Sequence, residues 1–254
     1  MSGHSKWAQI KHKKATADAK RGQLFSKLIR EITIAGRAGG SNPDTNARLR
    51  SALERGRNIG LPKENIERAL ARTGGGGEGE RLSEFLYEAV GPGGAAILIE
   101  GITDNKNRTL SEIRRLVSDS GGRLADQGSL AWNFEKIGTL EVGRRDNAGK
   151  RPEEIEIAFI DAGAKDFASG PDAWLVQTEF TRREEALRKL EERGITVQES
   201  GHDYVSRTQL RVSPEDRERI GLLYDALIGH DDVQEVYTNL AEYGKEAKTI
   251  IPDS

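Results

Sequence analysis

Six residues, Gly74-Gly75-Gly76-Gly77-Glu78-Gly79, separate two stretches of chain with different apolar rhythms. Four successive glycines lose too much backbone freedom to sit inside a helix or strand, so the run reads as a flexible linker. It lacks the Lys-Ser/Thr of a phosphate loop and does not join a strand to a helix, so it is not read as one. Before it the spacing is helical. Leu24, Phe25, Leu28, Ile29, Ile32 and Ala35 share one face, stopped by Gly36 and Gly39-Gly40. Asn42-Pro43-Asp44 opens a second helix with Leu49, Ala52 and Leu53 inward and Gly60 at its end. A third runs from Pro62 to Arg72 with Ile66, Ala69 and Leu70 inward. Residues 23–73 therefore predict a small antiparallel helical bundle.

Beyond the linker the period shortens. Residues 85–90 and 95–100 predict two strands joined at Gly91-Pro92-Gly93-Gly94. A helix follows Asp104-Asn105-Lys106-Asn107-Arg108-Thr109, with Leu110, Ile113, Leu116 and Val117 inward, then a strand over 129–135. A second unit begins at Gly138. It has a strand at 139–142, a helix over 153–162, a strand at 174–178, a helix opened by a Thr181/Glu184 capping box, and a strand over 195–206. A short extra strand near Phe167 would make this a ferredoxin-like split β-α-β sandwich. A strand at 208–212, a helix after Ser213-Pro214 with Leu222, Leu223, Ala226 and Leu227 inward, and a strand at 233–238 make too small a core alone. They predict completion of the first unit. The expected class is α+β in three domains: residues 1–74 as basic arm and helical domain, 82–135 with 207–250 as a discontinuous α/β sandwich, and 136–206 as a second sandwich inserted in it.

Charge divides at the same linker. Residues 1–74 hold 16 Lys and Arg against 6 Asp and Glu, and residues 75–254 hold 23 against 35. A net −2 thus averages a basic head with an acidic body. That asymmetry points to a polyanionic partner, nucleic acid, met by the head. Residues 5–22 carry Lys6, Lys11, Lys13, Lys14, Lys20 and Arg21 around one Asp18, too polar to bury much alone. Such an arm orders on a partner. Trp7 either stacks on a base or ribose or folds back on the helices. Lys6, Lys11, Lys13, Lys14, Lys20, Arg21 and Lys27 are the expected phosphate contacts, with Arg30, Arg48, Arg50, Arg55 and Arg57 in support, and His4 and His12 suit phosphate or ribose better than a metal.

The chain has no Cys, so disulfides and thiolate chemistry are excluded. No apolar run spans a membrane, and lysines interrupt any signal-peptide core, so a cytoplasmic protein without membrane contact is expected. His4, His12, His202 and His230 have no metal-ligand spacing. No nucleophile elbow, Walker motif or dinucleotide fingerprint is present. The expectation is no enzyme, no cofactor and no metal. Two loops have two readings each. Gly91, Pro92, Gly93 and Gly94 form a plain turn or expose N–H groups to a phosphate backbone. Asn105, Lys106, Asn107 and Arg108 cap a helix or hold an anion at its N-terminus.

Gly3-His4-Ser5-Lys6-Trp7, Ile10-Lys11-His12, Asp18-Ala19-Lys20-Arg21-Gly22, Phe25-Ser26-Lys27, Tyr87-Glu88, Gly91-Pro92-Gly93-Gly94 and Asp104-Asn105-Lys106-Asn107-Arg108-Thr109 together resemble the YebC/PmpR family. The chain departs from that pattern at Ala89-Val90, where Gly and an aromatic would be expected. The resemblance implies a helical N-terminal domain and two α/β domains, the third inserted in the second. Members are described as probable transcriptional regulatory proteins, and mitochondrial relatives as translational activators of cytochrome oxidase. With no transit extension before Met1, the resemblance points to the bacterial branch. It implies promoter DNA binding, or alternatively association with the ribosome and its RNA to relieve stalling at difficult sequences such as proline runs. Neither reading fixes the oligomeric state.

Overall fold

The computed structural model describes residues 19–74 and 82–241. The helical region holds α1 (Ala19–Gly39), α2 (Ala47–Asn58) and α3 (Lys63–Ala71). Their apolar faces meet in one core of Leu28, Ile32, Ala35, Leu49, Ala52, Leu53, Leu61 and Ala69. The second helix starts later than its Asn-Pro-Asp signal suggested. Residues 43–45 form a turn, and Asn46 is the N-cap. Its buried side chain accepts from Leu49 N at 3.0 Å and donates to Ala35 O and Gly40 O, both at 2.8 Å. One amide thus starts α2 and closes α1, a stronger constraint than the proline upstream.

The rest of the described chain is mixed helix and strand on two antiparallel sheets. The first contains β1 (Ser83–Val90), β2 (Ala96–Thr103), β3 (Arg123–Ala125) and β8 (Val233–Thr238), in the order β3-β1-β2-β8. α4 (Lys106–Asp119) and α7 (Pro214–Ile228) cover one face through Ile97, Ile99, Ile113, Val117, Leu223, Leu227, Val233 and Val236. The opposite face carries Ala96, Leu98 and Tyr237, packed on Phe134 and Tyr204 of the second sheet. β2 is therefore apolar on both faces, which explains its unbroken run from Ala95 to Ile99.

The second sheet contains β4 (Phe134–Gly143), β5 (Asp166–Ser169), β6 (Ala173–Glu179) and β7 (Glu199–Ser206), in the order β5-β6-β4-β7. With α5 (Pro152–Ala162) and α6 (Arg183–Glu192) between its strands, this is the split β-α-β order, and β5 is the short strand expected near Phe167. Phe159, Trp174, Leu140, Val176 and Leu190 lead its core. The first sheet differs in placing its hairpin at the centre, flanked by β3 and β8.

Three local expectations are corrected. Residues 129–135 are not one strand: 126–130 turn, 131–133 form a 3₁₀ turn, and only Phe134 begins β4, in the other sheet. The buried Glu88 carboxylate accepts from Gly128 N, Leu130 N and Ala131 N at 2.5, 2.6 and 2.9 Å, which takes up donors a ladder would need. Residues 208–212 give only one bridge, Leu210 to Leu240, because they meet just the few residues past β8. The Thr181/Glu184 box does not form. A 3₁₀ turn over Phe180–Arg182 absorbs Thr181, α6 starts at Arg183, and Glu184 pairs with that arginine.

Candidate nucleic-acid interface

Lys6, Trp7, Lys11, His12, Lys13 and Lys14 lie outside the described residues, and the side chain of Lys20 is likewise not described. The cations of the bundle divide into two sets. One set faces inward and joins the bundle to the sheets. Lys27 is buried, and its Nζ donates to Ile228 O at 2.6 Å. Gln23 donates to Gly229 O and to Asp231 Oδ1. Ile228 O and Gly229 O are the carbonyls at the end of α7, where the helix dipole favours a positive partner. Arg30 donates to Asp231 O at 2.6 Å and to Asp232 Oδ1 at 2.7 Å. Arg48 pairs with Glu84 at 2.5 Å. Arg55 pairs with Glu31 and lies 3.7 Å from Glu199 of β7. Arg21 belongs to neither side of that joint: it is exposed, lies over the Phe25 ring and reaches Ile59 O at 3.4 Å, both within the bundle. The other set stays outward. Arg50 and Arg57 flank Glu54 without an ion pair among the described residues, and Arg37, Arg68 and Arg72 are exposed on the same bundle.

The two loops have defined geometry. Gly91-Pro92-Gly93-Gly94 is a tight turn in which Gly93 and Gly94 take φ of 64° and 82°, with Gly91 N donating to Ala95 O at 2.8 Å. Asn105 caps α4 by accepting from Arg108 N at 3.1 Å. Arg108 itself reaches Asp104 at 2.7 Å and Asp232 at 3.0 Å, so carboxylates already occupy its guanidinium.

Asp232 is the hub of this region. It also accepts from Thr109 Oγ1 at 2.5 Å and Thr103 Oγ1 at 3.1 Å. Burial alone would raise its pKa, but Thr109, Arg108, Arg30 and Thr103 together carry it below the usual carboxylate range. Glu112, His230 and Asp232 are close enough to share an ion. Their ligand atoms are already engaged. His230 Nδ1 accepts from Asp232 N at 3.1 Å, its Nε2 lies 2.8 Å from Glu112, and two guanidinium groups face the Asp232 carboxylate. A cation there would meet two arginines.

A cleft of about 440 Å³ lies where α2, β2, β7 and β8 meet. His202 Nε2 lies 3.0 and 2.9 Å from the two Glu100 oxygens, and Tyr237 Oη donates to Glu100 at 3.0 Å. Burial would raise the Glu100 pKa; His202, Lys136 and Tyr237 lower it. The Lys136 ammonium sits 4.6 Å from the Phe180 ring centre and 5.2 Å from that of Tyr204, and burial lowers its pKa. Tyr204 is pushed up to about 12 by burial and the Glu100 charge. Sequence reasoning missed this seam, because its partners are far apart in the chain and share no motif. It also missed Trp132, which the presumed strand over 129–135 concealed.

Residues 5–76 match the family model described as the TACO1/YebC protein N-terminal domain, and residues 82–240 match the TACO1/YebC second and third domain. The chain belongs to the TACO1/YebC family. A Thermotoga maritima relative is 45% identical over 251 residues, 99% of this chain and 98% of its own, and a Pseudothermotoga lettingae relative is 44% identical over the same lengths. Both are named "probable transcriptional regulatory protein". A solved structure of a conserved hypothetical protein from Aquifex aeolicus is 38% identical, covers 96% of this chain and 100% of its own, and superposes with a TM-score of 0.83. The two TACO1/YebC models leave residues 77–81 between them, the end of the glycine-rich stretch with Glu80 and Arg81. Among the described residues no helix is long and apolar enough to cross a membrane.

Proposed function

We propose that this TACO1/YebC protein is a non-enzymatic, cytoplasmic regulator that binds nucleic acid through its basic head, and that its target is duplex DNA in the control of transcription. The observation that carries this reading is the segregation of charge, 16 cations against 6 anions in residues 1–74 and the reverse excess in the rest. The names of the relatives support the regulatory role. Lys6, Lys11, Lys13, Lys14 and Lys20 of the arm, with Arg50 and Arg57, are the groups proposed to meet phosphates. Lys27, Arg30, Arg48 and Arg55 serve the same surface indirectly, by holding the bundle to the sheets. Domains at 1–74, at 82 to about 133 with 207–250, and at 134–206 fit this division of labour.

One feature favours a second reading, a ribosome-associated factor on RNA. A groove-reading helix needs a free face. α2 packs on α1 and β7 and spends Arg48 and Arg55 on Glu84, Glu31 and Glu199, so only Arg50 and Arg57 remain for a partner. That suits backbone contact on an irregular surface. The test is binding of the full chain to a promoter duplex and to ribosomes over a range of salt. Affinity should fall as salt rises, and Lys13→Glu with Lys14→Glu should weaken it and flatten the slope. Co-sedimentation with intact ribosomes without duplex affinity would move the target from DNA to RNA. Salt-independent binding would remove the head from the mechanism.

A further inference from the structure

Trp132 is 68% exposed, more than any other large apolar side chain among the described residues. An exposed indole usually exchanges rotamers freely. This one is held. Its Nε1 donates to Ser129 O at 2.7 Å. The loop beneath is fixed by three N–H groups on Glu88, which is itself 3% exposed. On the other side, Asn133 accepts from Thr208 N at 3.1 Å through its side chain and from Arg207 N at 2.7 Å through its carbonyl. Leu130 and Ala131 pack into the seam between the sheets. A flat ring is thus presented to solvent on a rigid base, with the ordering cost already met by folding.

The surroundings select the partner. A protein hot spot sits inside an apolar rim that excludes water. Here the exposed neighbours are Asp126, Gln127, Ser129, Arg207, Thr208 and Gln209, and the other exposed large apolar side chains, Leu24, Ile157, Ile160, Phe180 and Leu222, belong to other elements. One exposed ring on a loop whose other exposed residues are polar, with Asp126 the one carboxylate, suits an unpaired nucleobase, which needs one face to stack on and polar groups at its edges. We propose that Trp132 is a stacking platform for an unpaired base of the bound nucleic acid. This rests on the second reading above, in which the head meets RNA, and adds to it a contact on the acidic body.

The test uses the full wild-type chain as parent, and the signal of Trp132 is read as the difference between that chain and its Trp132→Phe variant, so that Trp7 and Trp174, the latter 2% exposed in its core, cancel. Acrylamide quenching and binding are measured with a mixed-sequence single-stranded RNA 12-mer and with its duplex. The single strand should shield Trp132 more than the duplex does. Trp132→Ala should weaken single-strand binding about tenfold, the scale of one stacked base, and Trp132→Phe by far less. The salt slope should not move, since the ring carries no charge. Equal affinity for Trp132→Ala and its parent overturns the proposal. So does equal weakening by Ala and Phe, which would assign the effect to the lost Ser129 contact, and so does shielding by a protein but not by RNA. A parent that binds no nucleic acid brings down the wider reading, a result distinct from loss of stacking alone.

Discussion

Asp232 is 2% exposed and accepts from Arg30, Arg108, Thr103 and Thr109, which belong to α1, α4 and β2. Asp232→Asn keeps the shape and removes the charge. Arg108 still reaches water, so its share of the loss is small; the expected cost is about 2 kcal/mol, read by urea unfolding at pH 7. Because the folded-state pKa is lowered, the stabilisation is complete above the unfolded carboxyl value of about 3.9 and is lost as pH falls through the folded value. The gap between wild type and Asp232→Asn should stay flat from pH 7 to 5 and shrink in stronger acid. The carbonyl of the same residue limits β2. A Cβ at Gly101 would lie 2.1 Å from Asp232 O and 2.3 Å from the Phe85 ring, at the point where the β2–β8 register shifts. Gly101→Ala should cost more than about 2 kcal/mol, seen as a lower Tm, since backbone on one side cannot move aside.

Among the elements, the loop from 126 to 133 depends on a single buried side chain. Glu88→Gln puts an NH₂ where backbone N–H groups point, and hydrogen exchange at Leu130 and Ala131 should accelerate with a loss of about 1–3 kcal/mol. This loop also shows where sequence reading stops. Helices α1, α2 and α3 were legible because their apolar spacing is local, and the hairpin was legible because Gly93 and Gly94 mark its turn. The 129–135 stretch looked like strand because Leu130, Ala131, Trp132 and Phe134 are apolar enough for one. What prevents it is a carboxylate some forty residues upstream, which no local pattern carries. The bundle cations show the same limit. The sequence puts Lys27, Arg30, Arg48, Arg50, Arg55 and Arg57 on helix flanks, but the partners that turn Lys27, Arg30 and Arg55 inward lie at 228–232 and at Glu199.

For the whole molecule, these contacts mean that orientation of the head is set by docking rather than by the linker. Lengthening the glycine run by six residues should leave the X-ray scattering profile nearly unchanged. Lys27→Glu with Arg30→Glu, which sets carboxylates against Ile228 O and Asp232, should expand it, and more so at low salt where repulsion is less screened. The same geometry has a consequence in time. The bundle is complete within the first 74 residues, yet the carbonyls and carboxylate it docks on lie at 228–232, made near the end of synthesis. At about 5–20 residues per second, the folded head waits roughly 8–30 s on the nascent chain before the residues at 228–232 that dock it are made. For that interval Lys27 and Arg30, which end on 228–232, have not met their partners, and the first polyanion near them is the machine that is making the chain.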